Sequence, residues 1–475
     1  AYNSFNYSPV FDEEHRIVGF PEMDGIDGSE INYNALGGTG KSVSKMSSFF
    51  ANASYSYLDK YILTGALRYD GSDIIGNDNQ FTPLWNVGLR WNLHREEFMK
   101  RWMWVDQFAV RGGFGYTGSI DKNALPFVVM TLGQSVIYDG QTVPTSFSYP
   151  NPNVKWQTKQ DMNVGLDLSL FDYRLELGVN YYNNITRDVL DRKALPYSSG
   201  RSEVTENVAD IYNSGWEIDL GVTLLKNKSF QWYAKANIAI NDNKVKNTYY
   251  KDTKDLPKAT LSNAHQFVEN QPVNGWYGYK FAGINPINGA VMTYTGNGEA
   301  TLDMSVSGAT WPIPSVFYLG NLTPPVVGGF STSANWKQLI FSANFEFKTG
   351  HKIKSFNTFR SLDARNRHTS EANRWREPGD ITNVPAMSEA FTTYSSYMYD
   401  ILLEKGNYLR CSYMTLGYNL KPEWLHKIGF STARLSFTAK DLFTVSSYSG
   451  IDPALMGSFG YPNSRKYTIT LNVGF

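Results

Sequence analysis

The stretch Met162-Asn163-Val164-Gly165-Leu166-Asp167-Leu168-Ser169-Leu170 is followed by Phe171-Asp172-Tyr173-Arg174 and then by Leu175-Glu176-Leu177-Gly178-Val179-Asn180-Tyr181. Side chains alternate across a β-strand, so Met162, Val164, Leu166, Leu168 and Leu170 share one face and Asn163, Gly165, Asp167 and Ser169 the other. The return segment sets Leu175, Leu177, Val179 and Tyr181 against Arg174, Glu176, Gly178 and Asn180. The two read as a hairpin with one wholly apolar and one wholly polar face. Each arm is near ten residues, the length that crosses a bilayer at a tilt, whereas strands of soluble sandwiches usually run about five or six.

The same alternation recurs along the chain. Residues 62–70 oppose Leu63, Gly65, Leu67 and Tyr69 to Thr64, Ala66, Arg68 and Asp70; residues 85–92 oppose Trp85, Val87, Leu89 and Trp91 to Asn86, Gly88, Arg90 and Asn92. Further segments lie near 48–57, 108–117, 214–224, 230–241, 328–337, 339–348, 408–420, 432–441 and 465–475. Large rings (Tyr69, Trp85, Trp91, Tyr181, Trp216, Trp336) mark the ends of the apolar rows, as interfacial girdles do. Connections alternate too: short at 58–60, 171–173, 225–229 and around Gln338, long at 118–160, 183–213, 242–327 and 349–405. Short turns on one side and long loops on the other are the habit of outer-membrane barrels. The reading is all-β: a transmembrane antiparallel β-barrel, of which this chain supplies about 13–14 strands.

Composition agrees. Aromatics are 15% of residues while hydrophobic residues are only 42%, which suits many two-faced strands. Zero formal net charge offers no footprint for nucleic acid. Cys411 is the only cysteine, so no intrachain disulfide and no multi-cysteine metal site can form; it reads as strand filler. No apolar run is long enough for a membrane helix, and no signal peptide opens the sequence. The end, Tyr467, Ile469, Leu471, Val473 and Phe475, alternates to a terminal aromatic and resembles the assembly signature of outer-membrane barrels, which places the C-terminus in the periplasm. Counting back, an odd number of strands leaves residues 1–46 outside the cell as a loop segment or partial strand, and 47–475 as the C-terminal part of a barrel. An open edge in lipid leaves backbone groups unpaired. The remaining strands are therefore expected from the same protein or from a separate chain.

The ordered landmarks resemble the SusC/RagA type of TonB-dependent transporter. They are Arg68-Tyr69-Asp70-Gly71-Ser72, Glu96-Glu97-Phe98-Met99, Arg111 through Gly118, Leu195-Pro196, Asn213-Ser214-Gly215-Trp216-Glu217, Gly350-His351-Lys352, Arg374-Trp375 with Pro378-Gly379-Asp380, Tyr408-Leu409-Arg410 and Ser449 through Pro453. They run in order from about residue 47 to the end. The resemblance implies a 22-stranded barrel plugged by an N-terminal domain, which this sequence does not contain. It also implies a SusD-like lipoprotein lid, energy from the TonB–ExbB–ExbD complex, and oligosaccharide or peptide cargo. The alternatives are a passive porin-like channel and a soluble, secreted β-rich glycan-binding protein.

Enzyme chemistry finds no support. The six histidines are scattered, and no H-E-x-x-H, G-x-S-x-G or phosphate-loop pattern occurs in a suitable context. Two acidic loops, Asp24, Asp27 and Glu30 in one, Asp70, Asp73 and Asp78 in the other, suit Ca²⁺ or plain solvated turns. On the polar rows, Arg68, Asp70, Arg90, Arg111, Asp167, Arg174, Glu176, Glu217, Asp219 and Lys235 are expected to face the lumen, since charge facing lipid costs about 2–4 kcal/mol for Arg or Lys at the midplane. There they would pair with one another and the plug, or touch cargo. Exposed aromatics and amides on the long loops are the cargo-contact candidates: Asn274, Trp276, Tyr277, Tyr279, Trp375, Arg376, Tyr394, Tyr397 and Tyr399. Loop folding or lid contact would explain the same residues.

Overall fold

The computed structural model describes residues 45–75, 79–120, 154–195, 198, 203–253, 267–302, 315–355, 372–386, 399–425, 429–455 and 461–475, together with the backbone of six short strands elsewhere. By internal contacts the chain divides into two units: Ala1–Phe50 with Arg68–Pro83 and Lys122–Lys155, and Ala51–Leu67 with Leu84–Asp121 and Trp156–Phe475. Arg68 and Asp70 pair at 2.5 Å within the first, where Tyr69 stacks on Phe81 at 5.3 Å.

Thirteen strands form one antiparallel sheet in which each is hydrogen-bonded to its neighbours in sequence. They are β1 (Met46–Tyr57), β2 (Tyr61–Ser72), β3 (Phe81–Asn92), β4 (Val105–Ser119), β5 (Gln157–Leu170), β6 (Leu175–Ala194), β7 (Glu203–Lys226), β8 (Phe230–Lys246), β9 (Val326–Trp336), β10 (Leu339–Thr349), β11 (Tyr408–Asn419), β12 (Thr432–Ser446) and β13 (Lys466–Gly474). All thirteen segments read from alternation are present. This order is the simplest way for successive crossing strands to satisfy every backbone group in a medium without water.

Register carries the two faces across the sheet. Leu166 stands opposite Val110 and Val179, and Val179 opposite Ile218, which stands opposite Ile238. One position along, Asp167 pairs with Ala109 and Gly178, Gly178 with Asp219, Asp219 with Asn237, and Asn237 with Gly329 opposite Glu346. A slip of one residue would exchange these rows completely. The apolar rows are the open ones: Val164 is 46% exposed, Leu471 62% and Ile469 74%. Soluble monomers rarely leave a contiguous apolar face of this kind to water, which excludes the soluble sandwich. From Met162 to Leu170 the apolar row runs about 27 Å, most of the ~31–35 Å of strand that crosses an apolar band about 25 Å tall at a tilt of about 35–45°.

The short turns are built tightly. Leu58 and Asp59 take φ of 52° and 51°, a left-handed pair that two-residue hairpins require and that non-glycine residues adopt at a cost. The turn is held from the side: Asn92 Nδ2 donates to the Asp59 carbonyl at 2.7 Å and Arg95 reaches the Asp59 carboxylate at 3.0 Å. Next to it, Glu96 accepts from Lys60 Nζ (2.9 Å), Tyr61 Oη (2.7 Å) and Trp91 Nε1 (3.1 Å). These contacts, the one to Lys60 above all, hold its carboxyl down at about 2.

The long connections correct the sequence reading. The expected loop 183–213 is mostly strand, because β6 continues to Ala194 and β7 begins at Glu203. Asn183, Asn184, Thr186 and Arg187 are polar on both faces, so hydrophobic periodicity stops where the ladder does not. The connection 242–327 holds two small sheets: Gly275–Gly278 pairs with Phe317–Asn321, and Phe281–Ile284, Val291–Tyr294 and Ala300–Leu302 form a three-stranded sheet. In 349–405, Lys352–Lys354 pairs with Leu403–Lys405. Cys411 is fully buried in the ladder between Phe345 and Phe443, beside a bulge.

Candidate functional site

The polar face of the wall carries its charges in compensated groups. Arg90 meets Asp167 at 2.8 Å, and Arg111 approaches the other oxygen of the same carboxylate at 3.7 Å. Lys235 lies 3.8 Å from Asp219, Asn180 donates to Glu217 at 3.2 Å, and Tyr233 Oη to Glu176 at 3.5 Å. Arg90, Arg111, Asp167, Glu176, Glu217, Asp219 and Lys235 all share this face by register. Arg68 and Asp70 alternate along β2 with the exposed Leu67 and Tyr69. Arg174 differs: it stands in the short turn before β6 and not on the wall.

Near the start of β11, Arg410 is sealed in. It donates to Asp452 at 2.6 Å and to Thr444 Oγ1 at 3.0 Å, and lies 3.8 Å from Glu346; its side chain and that of Asp452 are both buried. The pair joins the 447–455 connection to the sheet. The landmark segments Tyr408-Leu409-Arg410 and Ser449 through Pro453 thus meet in space.

The cargo-contact candidates separate into several situations. Tyr277, Tyr279 and Tyr399 are inside the loop core, with Val268, Ile284, Val291 and Leu402 around them; Tyr279 and Tyr399 are 0% exposed. Exposed aromatic faces were expected, and these three have none. Burial, with Tyr318 beside it, pushes the Tyr277 hydroxyl well above the usual phenol range. Trp276 is half-buried and donates to the Lys352 carbonyl at 2.8 Å; Trp375 packs on the same core and donates to the Pro286 carbonyl at 3.1 Å. Arg376 is exposed, with its amide on Asp380 and its guanidinium on the Ala372 carbonyl. Tyr394 and Tyr397 lie outside the described residues, as do Asp24, Asp27, Glu30 and Asp78. Of the other acidic-loop residues, Asp70 is taken by Arg68, and Asp73 Oδ1 accepts from the Lys45 amide at 3.1 Å.

Asn274 belongs to a feature that alternation did not reveal. A cleft of about 300 Å³ is lined by Asn213, Asn241, Asn243, Asn274, Asn321 and Thr323. Ile211, Val273, Pro324 and Pro325 complete its walls. Asn213 and Asn243 face each other across β7 and β8 on the polar face, and Asn241 is two residues away on that face. The sequence signal was the run of amides Asn180, Asn183, Asn184, Asn213, Asn237, Asn241 and Asn243, which reads singly as polar filler.

A two-faced antiparallel wall with one open apolar face, an opposite face of compensated charges and folded long connections is the architecture of a transmembrane β-barrel. Comparison with known proteins narrows it. The model of the TonB dependent receptor-like β-barrel family matches residues 2–346, and the chain belongs to that family, one of outer-membrane receptors and not of enzymes. TonB-dependent receptor P3 of Formosa agariphila is 29% identical over 90% of this chain and 45% of its own length. TonB-dependent receptor SusC of Bacteroides thetaiotaomicron is 23% identical over 90% of this chain and 43% of its own. Among solved structures, the RagAB peptide transporter superposes with a TM-score of 0.74 at 24% identity, covering 96% of this chain and 51% of that one. The chain spans about half the length of the curated relatives it matches.

Proposed function

We propose that this chain is the C-terminal wall of an active importer, moving oligomeric nutrients (oligosaccharides or peptides) inward across the outer membrane. The observation that carries the reading is the division of one sheet into an open apolar face and a charge-compensated polar face, in a member of this family. Apolar rows suit lipid; polar rows, including Arg90, Arg111, Asp167, Glu217 and Asp219, suit a hydrated lumen holding a plug and passing cargo. In this reading the short turns and the C-terminus are periplasmic and the loop core is external. Further strands and an N-terminal plug complete the barrel, a SusD-like lipoprotein covers it, and the TonB–ExbB–ExbD complex drives it. SusC and the RagAB peptide importer, both similar to this chain, support the comparison.

The test is to isolate the protein from outer membranes in mild detergent without heating and to identify every co-purifying chain by mass spectrometry. Uptake of labelled oligosaccharides and peptides is then followed in cells with and without the protein. A plug-bearing segment, a lipoprotein partner and uptake lost when the proton-motive force is collapsed are expected. Uptake that survives collapse would make the protein a passive channel.

A further inference from the structure

The cleft between β7, β8 and the loop segments at 273–274 and 321–325 carries no charged side chain, on a wall face otherwise studded with carboxylates and guanidinium groups. Four of its five amides, all but Asn274, have their acceptor ends occupied. Asn213 Oδ1 accepts from Asn243 Nδ2 at 2.6 Å, Asn241 Oδ1 from Tyr182 Oη at 2.8 Å, and Asn321 Oδ1 from the Thr323 amide at 3.1 Å. The Nδ2 groups of Asn213, Asn241 and Asn321 have no partner among the described residues. Three half-buried carboxamides therefore offer donors, each with two N–H bonds. Asn243 is spent differently, its Oδ1 accepting from the Val273 amide at 2.7 Å, and Asn274 Nδ2 donates to Thr323 Oγ1 at 3.0 Å.

We infer that this cleft is a binding subsite for an uncharged sugar unit of the cargo, with Asn213, Asn241 and Asn321 as its hydrogen-bond donors. The inference rests on the importer reading and deepens it. A ligand that takes several neutral donors must be rich in oxygen acceptors, and hydroxyl and ring oxygens supply them. A phosphate, sulfate or carboxylate would enter without a cation to compensate it, and an amine without an anion; both lose their hydration for nothing. An extended peptide is the poorer fit, because the wall residues here are already paired in the ladder, Asn213 with Asn243 and Gly215 with Asn241. The wall strands here therefore offer no free edge for main-chain recognition. Pro324 and Pro325 bring no backbone N–H to their side, and with Ile211 and Val273 they give an apolar surface for the carbon face of a ring. The volume is at the lower end of small-ligand clefts, enough for one or two rings.

The experiment uses the intact assembly purified from outer membranes. Binding is measured against neutral gluco-, manno-, galacto- and xylo-oligosaccharides of four to eight units, against uronic and sulfated oligosaccharides, and against peptides of four to eight residues. Asn241→Leu and Asn213→Leu are compared with the parent, with Asn321→Ala on the loop side as the variant least able to disturb assembly. The inference expects at least one neutral oligosaccharide to bind and each substitution to weaken it about tenfold, with Asn241→Gln recovering part of the loss. It is overturned if no neutral oligosaccharide binds, or if one binds and all three substitutions leave its affinity unchanged. Energy-dependent uptake of peptides alone would overturn this inference and leave the importer intact; absence of any energy-dependent uptake would remove the importer reading itself.

Discussion

Trp216 on β7 packs against Tyr181 at 4.9 Å with the rings tilted and keeps 49% of its surface open, while Tyr279 and Tyr399 pack at 6.1 Å in the loop core and keep none. Both pairs are aromatic contacts between residues paired through the backbone, yet one lies on an open face and the other makes an inside. The wall turns its apolar side chains outward because its surroundings are themselves apolar, and leaves its polar groups to compensate one another on the opposite face. The loop segments meet water, so they fold as ordinary small sheets over a buried aromatic core. Residue type alone does not say which side of a strand is the protected one; the surrounding medium does.

The sharpest way to break this contrast is in the loop core. Tyr279→Ala removes a fully buried ring and should cost that core about 3–5 kcal/mol. Hydrogen exchange across residues 275–284 should rise while the wall keeps its heat-modifiable migration in gels; loss of the wall as well would mean that the two regions fold as one. Arg410→Ala leaves buried Asp452 without its cation and should destabilise the junction by about 3–5 kcal/mol. In a double-mutant cycle, adding Asp452→Ala should restore part of that loss; simple additivity would show the pair to be idle.

On the wall, Leu166→Arg places a cation at the middle of an apolar row, a cost of about 2–4 kcal/mol in lipid, and should deplete the protein from outer-membrane fractions. Asn163→Arg, on the polar face of the same strand, should be far better tolerated. Equal recovery of the two would defeat the assignment of faces. The smallest effect is expected at the short turns. The Glu96 carboxyl is held at about 2 against an ordinary 4.5, so its bonds to Lys60, Tyr61 and Trp91 support the turn fully above pH 4.5. That support fades as pH falls from 4.5 toward 2. In the folded protein Trp91 fluorescence should step only near pH 2, where the carboxyl takes up its proton, and Glu96→Gln should abolish that step; a parent protein with no step there would remove Glu96 from that role.

The amino-acid order by itself determined the strands, their faces and their sequence-adjacent pairing, because a period of two is imposed by the backbone and a two-sided environment selects it. It determined the short turns as well, since strands that cross and return leave no room for more. It did not determine where β6 and β7 end: beyond the apolar band both faces are polar, so Asn183 to Arg187 look like loop while the ladder continues through them. Nor could it distinguish Tyr277, Tyr279 and Tyr399 from exposed cargo contacts, because a tyrosine on a long loop has the same local sequence whether its ring is buried or open. Those positions were decided by contacts between segments far apart in the chain, such as Tyr279 with Tyr399. The same holds for the cleft. Asn213, Asn241 and Asn321 are unremarkable one at a time, and only strand register and the return of the loop to the wall set their amides around one space.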